Sequence, residues 1–210
     1  MIDKKNIDYT LYLCTDRELM STMTVEQAVE QAILGGCGIV QLREKKCKAR
    51  EFIRIAEGVK AVTQKYGIPL IINDRVDIAL AVDADGVHVG QSDMPCAMVR
   101  QLLGQDKIIG VSAHNREEAM AAAADGADYL GVGAIYSTNT KEDAGVITPQ
   151  TFASLRAAVG LPIVAIGGVN RDRVDYVKGL GADGMAVVSA VISAQDIQGA
   201  AKELVNLWRR

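Results

Sequence analysis

The sequence predicts a single-domain (β/α)8 TIM barrel over residues 1–210, and a repeated pattern is the first reason. Small-residue turns lead into apolar strands at similar intervals, and each interval leaves room for two βα units. Further apolar strands lie between them, as a barrel of parallel strands requires. The repeated segments are GGCGIVQL from 35, DADGVHVG from 83, GADYLGVG from 126 and GADGMAVV from 181, and the strands between them are LYLCT (11–15), LIIN (70–73), IIGVS (108–112) and IVAIG (163–167).

The helices between these strands are the second reason. TVEQAVEQAIL (24–34) starts with Thr and has Gln three residues later, which is the pattern of a capping box. AREFIRIAEGVKAVTQKY (49–66) has apolar residues at helical spacing, and NREEAMAAAA (115–124) begins with an Asn cap and acidic residues. Strands that alternate with such helices predict a parallel sheet covered by helices. A doubly wound open sheet is the less favoured alternative, because no G-x-G-x-x-G follows the first strand.

The composition is that of an ordinary globular protein and argues against several classes of function. The chain has 210 residues, 49% hydrophobic and 23% charged, with a formal net charge of −3. This balance predicts no nucleic-acid partner, and no apolar run approaches the ~20 residues that span a bilayer. The four cysteines have no C-x-x-C spacing and are interpreted as reduced structural thiols. The polar N-terminal start predicts a cytoplasmic protein without a membrane partner, and monomer and homo-oligomer both stay open.

Polar residues follow the predicted strands at one end, which is the third reason and the first indication of function. In a barrel of this kind the active site lies at the carboxyl ends of the strands. The loops at the opposite end are mostly short turns of Gly, Ala and Asp. This asymmetry predicts a polar, charged ligand bound over the barrel mouth. From strand 2 to strand 8 the polar exits read QLREKK, NDR, GQSD, SAH, STNTKEDAG, GGVN and VSAV.

Two aspartates and three cations in these exits have the chemistry of a diphosphate site. Asp74 and Asp93 follow adjacent strands without His or Cys companions. Taken alone they also fit solvated loop caps, but paired carboxylates are hard oxygen ligands, suited to Mg²⁺ held partly by substrate phosphates. Arg43, Lys45 and Lys141 add rim cations that could hold the other side of a diphosphate.

The exits of strands 7 and 8 predict a second anion site. Loops at these places in barrels often bind phosphate through backbone N–H groups. Gly167 and Gly168 let the backbone approach closely, and Ser189 adds an N–H and a hydroxyl. Two anion sites over one mouth predict an enzyme that joins two phosphorylated substrates. The polar stretch TNTKEDAG (138–145) is predicted to be a loop that closes over them and excludes water.

At this point the sequence closely resembles the thiamine-phosphate synthase family, over almost the whole chain. The resemblance implies an enzyme that couples a pyrimidine diphosphate, 4-amino-2-methyl-5-(diphosphooxymethyl)pyrimidine, with 4-methyl-5-(2-phosphoethyl)thiazole or its carboxylated tautomer. It implies one Mg²⁺ per subunit, loss of pyrophosphate and a pyrimidine carbocation. The matching blocks are YLCTD (12–16), QLREK (41–45), NDRVDIALAVDADGVHVGQSDMP (73–95), GVSAH (110–114), GADYLGVGAIYSTNTK (126–141), AIGGV (165–169) and GADGMAVVSAV (181–191).

The resemblance also implies roles for individual residues. Asp74 and Asp93 would bind Mg²⁺, and Lys141, Ser112 and Arg43 would be catalytic, with Lys141 neutralising the departing diphosphate. The pyrimidine diphosphate would contact Gln41, Leu42, Arg43, Glu44, Lys45, Asn73, Ser112 and Lys141, and the thiazole phosphate would contact Thr138, Asn139, Thr140, Gly168, Val188 and Ser189.

Two other functions stay open beside the synthase. A thiazole tautomerase relative shares the barrel and the phosphate site, but it has His where Ala134 stands and Gly where Asp74 stands. A non-catalytic sensor of thiamine phosphate would not need Asp74, Asp93 and Lys141 together. His88 and His114 are interpreted as structural, and Arg75 as part of a rim salt bridge. Many family members have Pro where Ala134 stands, and Ala is expected to loosen that loop.

Overall fold

The computed structural model describes residues 2–20, 24–137 and 145–210, and its central feature is a closed barrel of parallel strands. Each strand pairs with its neighbour in chain order, and the last pairs with the first. The (β/α)8 TIM barrel is confirmed, and the open-sheet alternative is wrong because this last pairing leaves no sheet edge. The strands are β1 (Leu11–Cys14), β2 (Ile39–Leu42), β3 (Leu70–Asn73), β4 (Gly86–Val89), β5 (Ile108–Ala113), β6 (Tyr129–Val132), β7 (Ile163–Ile166) and β8 (Gly184–Val187).

Helices follow the strands and cover the outside of the barrel. In the part of the chain that the structure describes, one helix follows each strand up to β7, and two follow β8. Within the described ranges, none of the helices combines the length and the apolarity that crossing a bilayer requires. The helices are α1 (Val25–Leu34), α2 (Ala49–Tyr66), α3 (Val76–Ala81), α4 (Cys96–Leu103), α5 (Arg116–Ala124), α6 (Pro149–Ala158), α7 (Val174–Gly179), α8 (Ser189–Ile192) and α9 (Ile197–Arg209), with 3₁₀ turns at Lys4–Asn6 and Arg171–Arg173.

The helix starts follow from local sequence signals. Before α1, the Thr24 hydroxyl accepts a hydrogen bond from the Gln27 N–H, and the Gln27 side chain accepts one from the Thr24 N–H, both at 3.3 Å. This is the predicted capping box, which satisfies two backbone donors that the helix itself leaves unpaired. Before α5, Asn115 accepts from the Glu118 N–H at 2.9 Å, again as predicted. α2 spans the predicted residues.

The strand ends differ from the prediction by single residues. β5 runs one residue further than predicted, to Ala113, and β1 stops one residue earlier, before Thr15. β7 also stops one residue earlier, because Gly167 has a φ of 98° and leaves the extended conformation. These changes lie at the carboxyl ends of the strands, where the backbone turns into the mouth loops.

Alternation of side chains along each strand gives the barrel two separate cores. The outer core lies between strands and helices and is mostly Leu, Ile, Val and Ala. The inner core is smaller and includes Tyr12 and Tyr129, whose ring centroids lie 5.7 Å apart. Since inward positions recur every second residue, the inward residue after Ile71 in β3 is Asn73. The inner core therefore continues into polar side chains at the mouth.

Glycines inside two neighbouring strands make room for this inner layer. A Cβ on Gly110 of β5 would overlap the ring and hydroxyl of Tyr129 and would lie 2.5 Å from His88 Nδ1. A Cβ on Gly131 of β6 would lie 2.9 Å from His88 Cε1. The large side chains of Tyr129 and His88 thus occupy space that β5 and β6 leave open.

Gly110→Ala should therefore destabilise the fold. Overpacking a filled core costs about 1–3 kcal/mol, and for a domain of this size each kcal/mol lowers Tm by about 2–4 °C. Thermal denaturation is the measurement, with Gly160→Ala as the matched control, because a Cβ there meets no heavy atom within 4 Å. An unchanged Tm for Gly110→Ala would show that the layer is loosely packed.

Candidate active site

A cavity of about 490 Å³ opens at the carboxyl ends of the strands, at the mouth predicted from the sequence. All eight strands contribute residues to its wall, together with the loops after them. Cationic, carboxylate, amide and hydroxyl groups share this wall with glycine backbone. The predicted site residues that line the cavity are Gln41, Arg43, Lys45, Asn73, Asp74, Asp93, Ser112, Gly168, Val188 and Ser189.

Two of the remaining predicted residues, Leu42 and Glu44, are not part of this wall. The Leu42 side chain is fully buried in the outer core, because it alternates with the inward-facing Gln41, so only its backbone can face a ligand. Glu44 instead pairs with Arg17, whose Nη2 lies 2.8 Å from Glu44 Oε2. Thr138, Asn139, Thr140 and Lys141 lie outside the described residues.

An adjoining depression of about 740 Å³ extends the mouth toward the loops after β1 and β2. It shares Arg43, Lys45 and Ser189 with the central cavity. Glu44 lines it, and in the described part of the chain its buried Oε1 has no hydrogen-bond partner. Burial raises the pKa of the Glu44 carboxyl, although Arg17 opposes this. The mouth therefore consists of two connected spaces that meet at three polar side chains.

Arg43 is held at the edge of the cavity by the loop after β1. Its backbone N–H donates to the Thr15 hydroxyl at 3.1 Å, and its Nη1 donates to Asp16 Oδ2 at 3.1 Å. A guanidinium carries five N–H donors, so a single bond to Asp16 orients the group and leaves other donors for a ligand. Position and direction of this cation are thus set before any anion arrives.

Asp74 has a backbone conformation that few residue types tolerate. Its φ is 61°, in the left-handed region, where Asp and Asn are the most tolerated residues after Gly. Its N–H donates to the His88 carbonyl at 2.8 Å, which pins the residue to β4. Strained residues of this kind cluster at functional sites. The Asp74 carboxylate forms an ion pair with Lys45 at the cavity wall.

Asp93 lies beside Asp74 and shares its electrostatic environment. Its Oδ2 accepts from the Gly90 N–H at 2.8 Å. Burial raises the pKa of the Asp93 carboxyl, the Gly90 hydrogen bond opposes this, and the neighbouring Asp74 carboxylate raises it further. Among the described residues, no group of three or more His, Cys, Asp or Glu side chains is placed to hold a metal ion. A cation at this pair would therefore need further ligands besides these two carboxylates, such as water or substrate oxygens.

The loop after β7 is shaped for close approach of a ligand to its backbone. Gly167 and Gly168 have φ values of 98° and 66°, which other residues avoid. Arg173 Nη1 donates to the Gly168 carbonyl at 2.6 Å, and the guanidinium lies 4.0 Å from the centroid of the Tyr136 ring. This contact holds the loop against the segment after β6. Ser189, the first residue of the short helix α8, lines the same cavity.

A series of hydrogen bonds inside the barrel joins two of the predicted residues, and sequence reasoning missed it. Gln41 Nε2 donates to the Tyr12 hydroxyl, which contacts the Tyr129 hydroxyl. Tyr129 contacts His88 Nδ1, and His88 Nε2 contacts the Ser112 hydroxyl. His88, interpreted from the sequence as structural, therefore touches a predicted site residue. The alternation of inward and outward side chains along the strands could have revealed it, because Tyr12, Gln41 and His88 all occupy inward positions.

Other polar residues near the mouth have simpler roles. Cys14 lines the cavity, but burial raises the pKa of its thiol to about 12, which keeps it protonated and fits a structural thiol. All four cysteines are free, as expected. His114 Nδ1 lies 2.9 Å from Glu118 Oε2. Arg75 pairs with Asp77 on the rim, so the predicted salt bridge is confirmed.

Comparison with known proteins assigns this barrel to a family. A family model described as thiamine monophosphate synthase matches residues 11–191, from the start of β1 into α8. The chain belongs to this family. Thiamine-phosphate synthase from Clostridium beijerinckii is 59% identical over 203 residues, which cover 97% of each chain. The relative of the same name from Clostridium botulinum is 56% identical over 201 residues, covering 96% of this chain and 94% of the other.

Solved structures agree with membership in the thiamine monophosphate synthase family. Thiamine phosphate pyrophosphorylase from Pyrococcus furiosus matches with a TM-score of 0.88 and 38% identity, covering 97% of this chain and 96% of that one. A 3-hexulose-6-phosphate synthase matches with a TM-score of 0.69 at 20% identity, covering 94% and 99%, and shows the shared fold alone. The family is one of transferases of thiamine biosynthesis, so the prediction of an enzyme of this class is confirmed.

Proposed function

We propose that this chain is a cytoplasmic enzyme that condenses 4-amino-2-methyl-5-(diphosphooxymethyl)pyrimidine with 4-methyl-5-(2-phosphoethyl)thiazole, or its carboxylated tautomer, to thiamine phosphate and pyrophosphate. The names of its relatives, thiamine-phosphate synthase and thiamine phosphate pyrophosphorylase, support the proposed products. The observation that carries the proposal is a single cavity in which Arg43, Lys45 and two aspartates face the glycine loop after β7. Such a cavity offers separate places for a diphosphate and a phosphate monoester.

The diphosphate is proposed to lie on the side formed by β2 to β5. Arg43 can offer a fork of donors to its oxygens, and Lys45 a compact charge. Asn73 and Ser112 line the same side and add neutral donors. Lys141, which follows β6 in the sequence, is proposed to neutralise the departing diphosphate. Because the loop after β1 already holds Arg43, little reorganisation is needed when the anion binds.

The aspartate pair is proposed to hold one Mg²⁺ per subunit. Its all-oxygen chemistry fits this hard cation, and two protein carboxylates plus substrate phosphates is a usual ligand set for it. The raised pKa of Asp93 next to Asp74 fits a pair that a cation would stabilise. When bound, Mg²⁺ would neutralise charge that develops on the diphosphate. Lys45, paired with Asp74 in this structure, would then be released to contact the diphosphate.

In the proposed reaction, the main role of the protein is to position the two substrates. The bond between the pyrimidine methylene and the diphosphate oxygen breaks, and both electrons leave with the diphosphate. The thiazole nitrogen then donates its lone pair to the carbocation and forms the new C–N bond. With the carboxylated thiazole, the carboxyl group leaves as CO₂, and the electron pair of the broken C–C bond stays on the ring. Catalysis therefore rests on holding the two substrates in line and on stabilising the leaving anion, and no protein nucleophile is required.

The thiazole phosphate is proposed to bind across the cavity, at Gly168, Val188 and Ser189. Close approach to the backbone is possible here because Gly167 and Gly168 carry no Cβ. The start of α8 adds N–H groups that have no acceptor within the helix. Thr138, Asn139 and Thr140, which follow β6 in the sequence, are proposed to complete this site.

The decisive test of this proposal is to mix the purified protein with both substrates and Mg²⁺. Formation of thiamine phosphate and pyrophosphate in equal amounts is the expected result. Thiazole isomerisation without pyrophosphate would favour the tautomerase, and binding of thiamine phosphate without turnover would favour the sensor. Either outcome would overturn the synthase.

Removing one aspartate charge should abolish most of the activity. Asp74→Asn and Asp93→Asn are expected to lower kcat by roughly 10²-fold or more, the scale of losing one preorganised charge-stabilising group. Asn also tolerates the left-handed conformation of Asp74, so the backbone should be kept. The measurement is initial rate as a function of Mg²⁺ concentration.

Asp83→Asn is the matched control for these variants. Asp83 also has a positive φ, 50°, but it lies before β4, at the opposite end of the barrel, and pairs there with Lys107. Its activity should stay within roughly twofold of wild type, as for most surface changes. Full wild-type activity in the presence of a chelator would refute the metal proposal.

Placing a carboxylate at the start of α8 should show that the two anion sites are separate, because it should weaken binding of one substrate only. Ser189→Asp is expected to raise KM for the thiazole phosphate at least tenfold, which about 1.4 kcal/mol of repulsion would produce. KM for the pyrimidine diphosphate should change much less. Ser193→Asp, an exposed site at the other end of α8, is the control. Equal weakening of both substrates by Ser189→Asp would contradict separate sites.

A further inference from the structure

Five polar side chains form a continuous series of hydrogen bonds across the inside of the barrel. Gln41 Nε2 lies 2.8 Å from the Tyr12 hydroxyl, which lies 2.6 Å from the Tyr129 hydroxyl. The Tyr129 hydroxyl lies 2.9 Å from His88 Nδ1, and His88 Nε2 lies 3.0 Å from the Ser112 hydroxyl. We name these residues the Gln41–Ser112 relay. The buried Gln41 end is called the inner end and the half-buried Ser112 end the outer end, and both line the cavity.

The relay is built into the fold. Tyr12 and Tyr129 are almost completely buried, and Gln41 is 5% exposed, so their polar atoms depend on one another for hydrogen bonds. Gly110 and Gly131 leave the space that Tyr129 and His88 fill. Burial also raises the pKa of both phenols well above its ordinary value, so each keeps one O–H to donate.

The inner end sets the direction of every hydrogen bond in the relay. The amide nitrogen of Gln41 only donates, so the Tyr12 oxygen accepts from it. The buried Tyr12 proton then needs an acceptor of its own, and the Tyr129 oxygen 2.6 Å away supplies one. The Tyr129 O–H then points at His88, whose Nδ1 must accept. With Nδ1 as acceptor, a neutral imidazole has its proton on Nε2. That Nε2–H donates to the Ser112 oxygen, and the Ser112 proton is turned toward the cavity.

The outer end requires the same direction. Ser112 faces the cavity that also contains Arg43 and Lys45. A diphosphate oxygen is only an acceptor, so Ser112 can bond to it only as a donor. If His88 carried its proton on Nδ1, Nε2 would accept the Ser112 proton, and the serine would turn a lone pair toward the anion. The two ends of the relay thus agree on one arrangement.

We propose that His88 is a positioning residue: the relay holds it as the Nε2–H tautomer, and it thereby orients the Ser112 hydroxyl as a donor to the pyrimidine diphosphate. The identity of this ligand rests on the proposed function, whereas the direction of the relay rests on the hydrogen bonds alone. The ring changes neither charge nor bonding in the reaction. It acts by selecting which of two hydroxyl orientations the substrate meets.

The tautomer can be measured without substrates. Histidine occurs only at positions 88 and 114, so protein labelled with ¹⁵N in the imidazole rings gives two sets of signals in a long-range ¹H–¹⁵N spectrum. At about pH 8.5, where imidazole is ordinarily neutral, His88 should show a protonated Nε2 and a bare Nδ1. His114, whose Nδ1 faces the Glu118 carboxylate, supplies the reference with the opposite preference, and His114→Gln assigns the signals. A His88 ring protonated on Nδ1, alone or together with Nε2, would overturn the proposal.

Kinetics then test whether the relay acts through Ser112. Tyr129→Phe should lower kcat/KM for the pyrimidine diphosphate by roughly 3- to 10-fold, the worth of about one net hydrogen bond. In a Ser112→Ala background the same change should have less than a roughly twofold effect, because the hydroxyl to be oriented is gone. Equal losses in the two backgrounds would overturn the proposal.

Tyr9→Phe is the matched control. The Tyr9 ring lies 5.5 Å from the Tyr129 ring in the same inner core, and its hydroxyl is not a member of the relay. It should change kcat/KM less than roughly twofold.

If Tyr129→Phe does not fold, the tautomer of His88 measured in the wild-type protein still tests the proposal. Absence of thiamine phosphate formation by wild type would refute the proposed function, while the spectrum would still report the direction of the relay.

Discussion

Closure of the barrel between β1 and β8 is the constraint on which the other features depend. Leu13 pairs with Val187 across this seam, and the registers of the other strand pairs follow in one continuous circuit. Because side chains alternate along a strand, a shift of one residue in any register would exchange inward and outward side chains. The continuous pairing around the barrel thus directs the Gln41 side chain to the mouth and the Leu42 side chain to the layer under the helices.

The same closure separates two kinds of polar chemistry. Charged groups such as Arg43, Lys45 and Asp74 stand on loops just beyond the strands, where solvent can reach them. Inside the barrel the polar groups are phenols, an amide, a hydroxyl and an imidazole, which can satisfy one another without burying a charge. The proposed pyrimidine diphosphate would therefore meet charge at the rim, while its uncharged ring would enter a neutral interior.

Much of this architecture was predictable from the sequence, because local signals determine it. Strand positions, the capping box of Thr24 and Gln27, and the full extent of α2 all follow from periodicity and caps. The gathering of Asp74 with Asp93 was also expected, since adjacent parallel strands end at one rim. The partners of individual side chains were not predictable. Nothing local shows that Glu44 turns to Arg17, or that Tyr129 reaches across the barrel to Tyr12, because such contacts depend on the three-dimensional closure.

The left-handed backbone at Asp74 has a consequence for how this protein can change. Under the proposed magnesium role, two requirements meet at one residue: a backbone that disfavours most side chains, and a carboxylate at the cavity wall. Gly and Asn suit the backbone but carry no charge, whereas Glu keeps the charge but lacks the short side chain that makes this conformation tolerable. No single replacement satisfies both requirements. Each substitution at position 74 therefore loses either the tolerated backbone conformation or the charge, even though the residue adds nothing to the hydrophobic core.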